Sequence, residues 1–354
     1  SLTVAQYLAL IATSTTLTVA DTVSLKDTGA NIATLTDAQF GALASKGVDN
    51  IDASNDTLSL TVAQYLALIA TSTALTLADD VTIRDTSANI ASLTSVQFGA
   101  LASKGIDKID ATDNVLSLSV SQFQALGSVA LTSADVVTLV DSSANLLAVA
   151  SQLSLLAGKG VDFIDSTDNL VNLTAAQAAS LGSVAFVSGD VVSVLDTGAN
   201  IGLLTAAQLG GLAASGVDQI NASDNQLSLS VAQVNALGVV ISAGDTAALV
   251  DTAVNIKAMT PTQFASLADK GIDMIDVSND VISISVAQAA VLGSTYFAAA
   301  DSVTLLDTAA NVASLSSTQL SNLGKNGIDT IHYNGATNFN GDAFSDIILQ
   351  NKAD

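Results

Sequence analysis

All 33 acidic residues of this 354-residue chain are aspartates. There is no glutamate, no cysteine and one histidine, His332. Chemistry must therefore come from carboxylates, amides and hydroxyls, and these fall into register. One aspartate column runs Asp27, Asp85, Asp141, Asp196, Asp251, Asp307, each heading a tag D-[TS]-x-x-N at spacings of 55 to 58 residues. Asp52, Asp110, Asp165 and Asp276 take the same place in an intervening copy, where Asn221 breaks the series. A second column runs Asp49, Asp107, Asp162, Asp218, Asp273, Asp329. Like charges stacked about 5 Å apart repel unless they are solvated, hydrogen-bonded or neutralised. Two readings are open: the columns cap turns through backbone N–H groups, or they hold calcium between coils, since carboxylate and carbonyl oxygens suit a hard cation. We expect no enzyme, because no Ser/His/Asp set stands apart from the repeat and thiol chemistry is absent.

Something must position these columns, and the spacing says what. The tag between Val81 and Leu101 aligns with the stretch from Ile106 to Leu126, pairing Asp85 with Asp110, Asn89 with Asn114 and Gln97 with Gln122. The unit is thus a half-repeat of 24 to 33 residues, twelve in all when counted by the glutamine, the first incomplete. Each reads as a short β-rich run, a polar turn and a short helix. Ser or Thr followed three residues later by Gln is the capping box. It predicts helix starts at Thr36, Thr61, Thr94, Ser119, Thr174, Thr205, Ser230, Thr260, Ser285 and Ser316. Gln152 is the exception, with Val149 in the hydroxyl position. Pro261 follows Thr260 at the first helical position, where proline is tolerated. Glycines 47, 105, 160 and 271 read as helix stops. The recurrent asparagines (among them Asn31, Asn89, Asn114, Asn145, Asn169, Asn200) read as a buried ladder joining coils. Asn55-Asp56 and Asn279-Asp280 shift that duty by one residue.

A strand and a short helix cannot bury their own apolar face, but stacked units can. We expect an α/β fold, a right-handed β/α solenoid of parallel strands, one per half-repeat, over 1–331, with 332–354 as a C-terminal cap or the start of another module. The stretch "IDKIDATDNVL", with Ile106, Ile109, Ala111, Asn114 and Leu116, resembles the leucine-rich repeat, though small or hydroxyl residues replace its third leucine. The tail "NFNGDAFSDIILQN" resembles the calcium loop of FG-GAP or VCBS-type repeats. That resemblance implies Asn338, Asn340, Asp342 and Asp346 as metal ligands and Ca2+ as the cofactor. Asn338 and Ala343 depart from the usual Asp and Gly.

Formal net charge is -23, and ten scattered Lys and Arg form no basic patch, which argues against nucleic acid. No run of 18 apolar residues suggests membrane insertion. The chain begins in mid-repeat, so we expect further sequence before Ser1. Near-identity of "SLTVAQYLALIATST" at Ser1 and Ser59 suggests array expansion. The function expected is a structural and interaction module of a large secreted or cell-surface bacterial protein of RTX, adhesin or surface-layer type. Its partners would be copies of itself or other extracellular components. The alternative is a solenoid that recognises glycan or protein on its strand face, where Arg84, Lys108, Phe163 and Met274 interrupt a Thr, Asp and Val background.

Overall fold

The computed structural model describes residues 1–18, 20–149, 152–334 and 345–347. They form two compact units, Ser1–Asn169 with Leu181–Gly189, and Leu170–Ser180 with the residues from Asp190 on. Each unit is a right-handed β/α solenoid of short parallel strands and short helices, the hand following from the crossover between parallel neighbours.

In the first unit, strand Asp80–Asp85 shows how coils stack. Its first four residues pair with Thr57–Leu60, and its last four pair with Lys108–Ala111. Lys108 and Ile109 then pair with Ala130 and Leu131, closing a four-stranded parallel sheet. The next sheet starts from Val115–Leu118, further along the same coil. Successive sheets therefore overlap in steps, and a coil contributes to two of them. The second unit repeats the plan. Thr246–Asp251, for example, pairs with Gln226–Leu229 and with Met274–Val277.

This corrects the expectation of one strand per half-repeat. The coil at Lys108 carries two strands, Lys108–Ala111 and Val115–Leu118, split by a turn at Asn114. Asn114 has φ +57°, and its N–H donates to the Ala111 carbonyl at 2.9 Å. The left-handed residue breaks the extended run. Alternate coils carry a two-residue strand, such as Ala130–Leu131, and a six-residue one, such as Val136–Asp141.

Strand alternation decides the core. In Val115–Leu118 only Leu116 and Leu118 are buried, as a half-buried strand requires. Helices add large side chains, Phe40, Phe98 and Phe264 among them, all fully buried. At about 1.5–3 kcal/mol per buried large apolar side chain, stacking rather than any single half-repeat stabilises the fold.

All ten predicted helix starts are N-caps in which hydroxyl and glutamine satisfy each other's backbone N–H. Thr3 makes an eleventh such box. The helix after Val149 starts later, at Leu153, and its N-cap Gln152 makes no side-chain cap bond. Val149 is buried in the core, which explains the missing hydroxyl. Glycines 47, 105, 160, 216 and 271 end their 3-10 turns in the left-handed region. At the far end, strand Ser345–Ile347 runs antiparallel to Thr330–Asn334, setting His332 opposite Asp346. It covers an edge that would otherwise offer unpaired backbone groups.

Candidate functional site

The polar residues with chemical potential turn inward to backbone groups of neighbouring coils. Asp85 is the pattern. Its Oδ1 accepts from its neighbour's Thr86 N–H at 2.8 Å and from Asn89 Nδ2 at 2.7 Å. Its Oδ2 accepts from the N–H of Val62, 23 residues earlier, at 2.9 Å. Val62 is the first helical residue after the Thr61 capping box, a position whose N–H no residue of its own helix can satisfy. The tag thus caps two helices: Thr86 caps its own, and Asp85 reaches the one in the preceding coil. The same cross-coil bond joins Asp27 to Val4, Asp141 to Val120, Asp196 to Ala175, Asp251 to Val231 and Asp307 to Val286.

These bonds fix the charge state. At Asp85, Asp141, Asp251 and Asp307 burial opposes ionisation, and hydrogen bonds from the Asn amide and two backbone N–H groups outweigh it. At Asp27 and Asp196 the Asn bond is the largest influence. All six carboxyls sit below the ordinary aspartate range.

The second column does similar work. Asp49, Asp107, Asp162, Asp218, Asp273 and Asp329 each accept, through Oδ2, an N–H about 26 residues earlier at 2.8 to 2.9 Å. The acceptance of backbone N–H groups is the turn-capping role. Among the described residues no group of three or more His, Asp or Glu converges to hold a metal ion.

The intervening series is different again. Asp52 and Asp110 face outward and pair with Lys26 at 2.6 Å and Arg84 at 2.7 Å. At the corresponding rungs Asp165 lies beside Val140, and Asp276 beside Val250.

The asparagines divide into two roles, and neither is a buried ladder. Asn31, Asn89, Asn145, Asn200, Asn255 and Asn311 are exposed and orient the clamp aspartates. Asn114, Asn169 and Asn225 occupy left-handed turn positions, which asparagine tolerates better than most residues. The aspartate just before them reaches the preceding coil. Asp113 accepts from Ser87, and Asp168 from Ser143 through both N–H and hydroxyl. Bonds from Ser166 and Ser143 hold the Asp168 carboxyl down at about 2.

The buried amide that joins coils is a glutamine. Gln122 Nε2 donates to the Ala91 carbonyl at 2.9 Å and the Leu93 carbonyl at 2.7 Å. Gln64, Gln233 and Gln288 do the same one coil back from themselves. Lysines serve likewise. Lys46, Lys104, Lys159 and Lys270 donate to carbonyls 31 to 36 residues earlier, and Asn326 replaces lysine in the last coil.

Two stretches of surface and one buried series differ. The outer strand face mixes Ser and Thr with Asp and exposed aliphatics, with Phe163 between Thr138 and Ala185 and the paired, exposed Val115 and Val136 nearby. A shallow cavity of about 780 Å³ opens beside Ala74–Ala78, lined also by Asn50, Asp52 and Lys104. The third is a series of buried aspartates, Asp79, Asp135, Asp190, Asp245 and Asp301, in the turns before the long strands. Sequence reasoning missed it, although the motif "AD" or "GD" before a β-run marks each one. Of the proposed calcium ligands, Asn338, Asn340 and Asp342 lie outside the described residues, and Asp346 lies on the closing strand Ser345–Ile347.

No family model and no curated protein matches the sequence. Among solved structures the chain is similar to a plant peptide hormone receptor, RGFR1, in complex with RGF2, at 14% identity and a TM-score of 0.22. The match covers 87% of this chain and 58% of the receptor chain, so this chain spans under two thirds of that length. The fold assignment rests on the strand pairing described above. No helix among the described residues is long and apolar enough to cross a membrane.

Proposed function

We propose that this chain is a non-catalytic structural and interaction module, a stiff acidic repeat segment of a secreted or cell-surface bacterial protein. One observation carries the reading. Both main aspartate columns, the buried glutamines and the helix-terminal lysines are committed to backbone groups of the adjacent coil, so the recurring polar chemistry is architecture. Such inter-coil bonds stiffen an array without creating a reactive centre. The extracellular assignment is supported by the acidity, the missing cysteine and the near-identical first repeats. Calcium enters this reading only at the tail motif, 338–346.

The test has two arms. Purified chain should turn over no ester, glycoside, phosphoester or peptide substrate, and turnover above buffer would sink the reading. The second arm is a glycan and peptide array. A micromolar hit that is lost on Phe163→Ser or Arg84→Ala would favour the ligand-binding alternative, since these two side chains lie on the outer strand face.

A further inference from the structure

Among the described residues, four of the buried aspartates, Asp79, Asp135, Asp245 and Asp301, each leave one carboxylate oxygen without a hydrogen-bond partner. Asp79 is 5% exposed and Asp301 6%. Each uses Oδ2 to accept a backbone N–H from the preceding coil, Ala53 at 2.9 Å and Val277 at 3.1 Å. The other oxygen, Oδ1, is shielded from solvent and has no hydrogen-bond partner. An ionised carboxylate in that position forgoes most of its solvation, which is among the costliest arrangements a fold can hold.

Asp135 and Asp245 share the geometry, including the unpartnered Oδ1. What differs is the turn they pack against and, at Asp135, a second donor to Oδ2, the Thr132 hydroxyl at 2.8 Å. In front of Asp79 that turn is Ser54-Asn55-Asp56, and in front of Asp301 it is Ser278-Asn279-Asp280. Aspartate holds the left-handed position there, at φ 56° and 59°. In front of Asp135 and Asp245 the order is reversed, and asparagine (Asn114, Asn225) holds it. Asp79 therefore faces Asp52 and Asp56, with Lys26 one coil further and already paired to Asp52. Its chain neighbour Asp80 is turned out to Lys108. Asp301 faces Asp276 and Asp280.

We propose that Asp79 and Asp301 are proton-binding sites built into the repeat, taking up a proton when the chain folds in mildly acidic surroundings. The Asn-Asp order of the preceding turn sets an aspartate at the left-handed position in front of each. Two aspartates beside a dry carboxylate call for a neutralising partner, and among the described residues no three acids are placed to hold a metal ion. Burial is the main cause raising both carboxyls, with the two neighbouring aspartates adding to it. The sign follows: a raised folded-state value means the native chain binds the proton more tightly, so these two groups favour folding as pH falls and oppose it as pH rises through that value.

Carboxyl-carbon NMR titration of the whole 13C-labelled chain tests this without any substitution. Two aspartates should titrate above all the others and should be assigned by their loss in Asp79→Asn and Asp301→Asn. If every carboxyl titrates at or under the ordinary aspartate value, the proposal is overturned. Thermal unfolding supplies the second readout. Asp79→Asn with Asp301→Asn should raise Tm by about 1–3 °C near pH 7.5 and by nothing near pH 4.5. An equal change at both values would overturn it. So would a calcium-induced rise near pH 7.5 that the double variant lacks, because that would place a cation at these oxygens. Exchanging Asn55 and Asp56 should bring the Asp79 titration down toward the rest.

Discussion

At the residue scale, the aspartates of this chain are alike in sequence and opposed in behaviour. The clamp carboxyls, such as Asp85, accept three donors each, whereas Asp37 accepts only from its neighbour's N–H. Asp85→Ala should cost about 2–3 kcal/mol in urea unfolding, because it strands the N–H of Val62 as well as freeing Asn89. Asp37→Ala should cost about 0.5 kcal/mol or less. Equal midpoints for the two variants would refute the cross-coil clamp. The pH dependence follows from the same bonds. Carboxyls held below their ordinary value contribute stability that is present above the unfolded value and is lost as pH falls through the folded one. The six clamp residues, Asp113 and Asp168 act this way, and Asp79 and Asp301 act the other way. Stability should therefore peak in mildly acidic solution and collapse below about pH 3, with Asp168 among the last to protonate. A midpoint that falls steadily from neutral pH downward would contradict this. The clamp was half legible in the sequence. Asp-Thr-x-x-Asn shows a local cap, but the bond to Val62 spans 23 residues and needs the stacking register, which the sequence does not display.

At the element scale, the capping box was legible because its two partners lie three residues apart. Val149 was legible as its failure for the same reason. The second task of the glutamine was not legible. Gln122 and Gln97 read alike in sequence, yet Gln122 Nε2 is directed at two carbonyls of the preceding coil, while Gln97 offers its backbone carbonyl to the Tyr65 hydroxyl at 2.6 Å. Gln122→Ala should cost about 2–3 kcal/mol, with buried carbonyls left unpaired, against about 1 kcal/mol for the cap alone in Gln97→Ala. Urea midpoints for the pair decide the point. The turn that splits each coil makes a separate prediction. Asn114 matters for its positive φ, not for a buried amide. Asn114→Gly should be near neutral, while Asn114→Val should cost about 1–2 kcal/mol. Equal losses in both variants would restore the ladder reading. The twofold strand pattern escaped sequence analysis for this same reason, since a single left-handed residue interrupts an otherwise continuous β-run.

At the scale of the whole chain, charge decides. Formal net charge is -23, against ten basic residues. Four lysines of the described residues give their charge to backbone carbonyls rather than to acids. Ion pairs among the described residues, Lys26–Asp52, Arg84–Asp110 and Lys108–Asp80, have exposed cations, with Asp52 and Asp110 half-buried, and at the surface such pairs contribute little. Self-repulsion in the compact state thus exceeds the attraction that salt could screen away. The cross-coil carboxylate bonds are short-range and directional, so they should survive added salt better than the repulsion does. Raising sodium chloride from about 0.01 M to about 0.5 M shortens the screening length from about 30 Å to less than 10 Å. Tm should therefore rise with sodium chloride. A falling Tm would mean that the surface ion pairs, and not the excess of aspartate, govern the electrostatics of the array. Replacing Lys26 and Arg84 by Gln removes two of those pairs while making the net charge -25, from -23 less two positive charges, so the slope of Tm against salt should steepen.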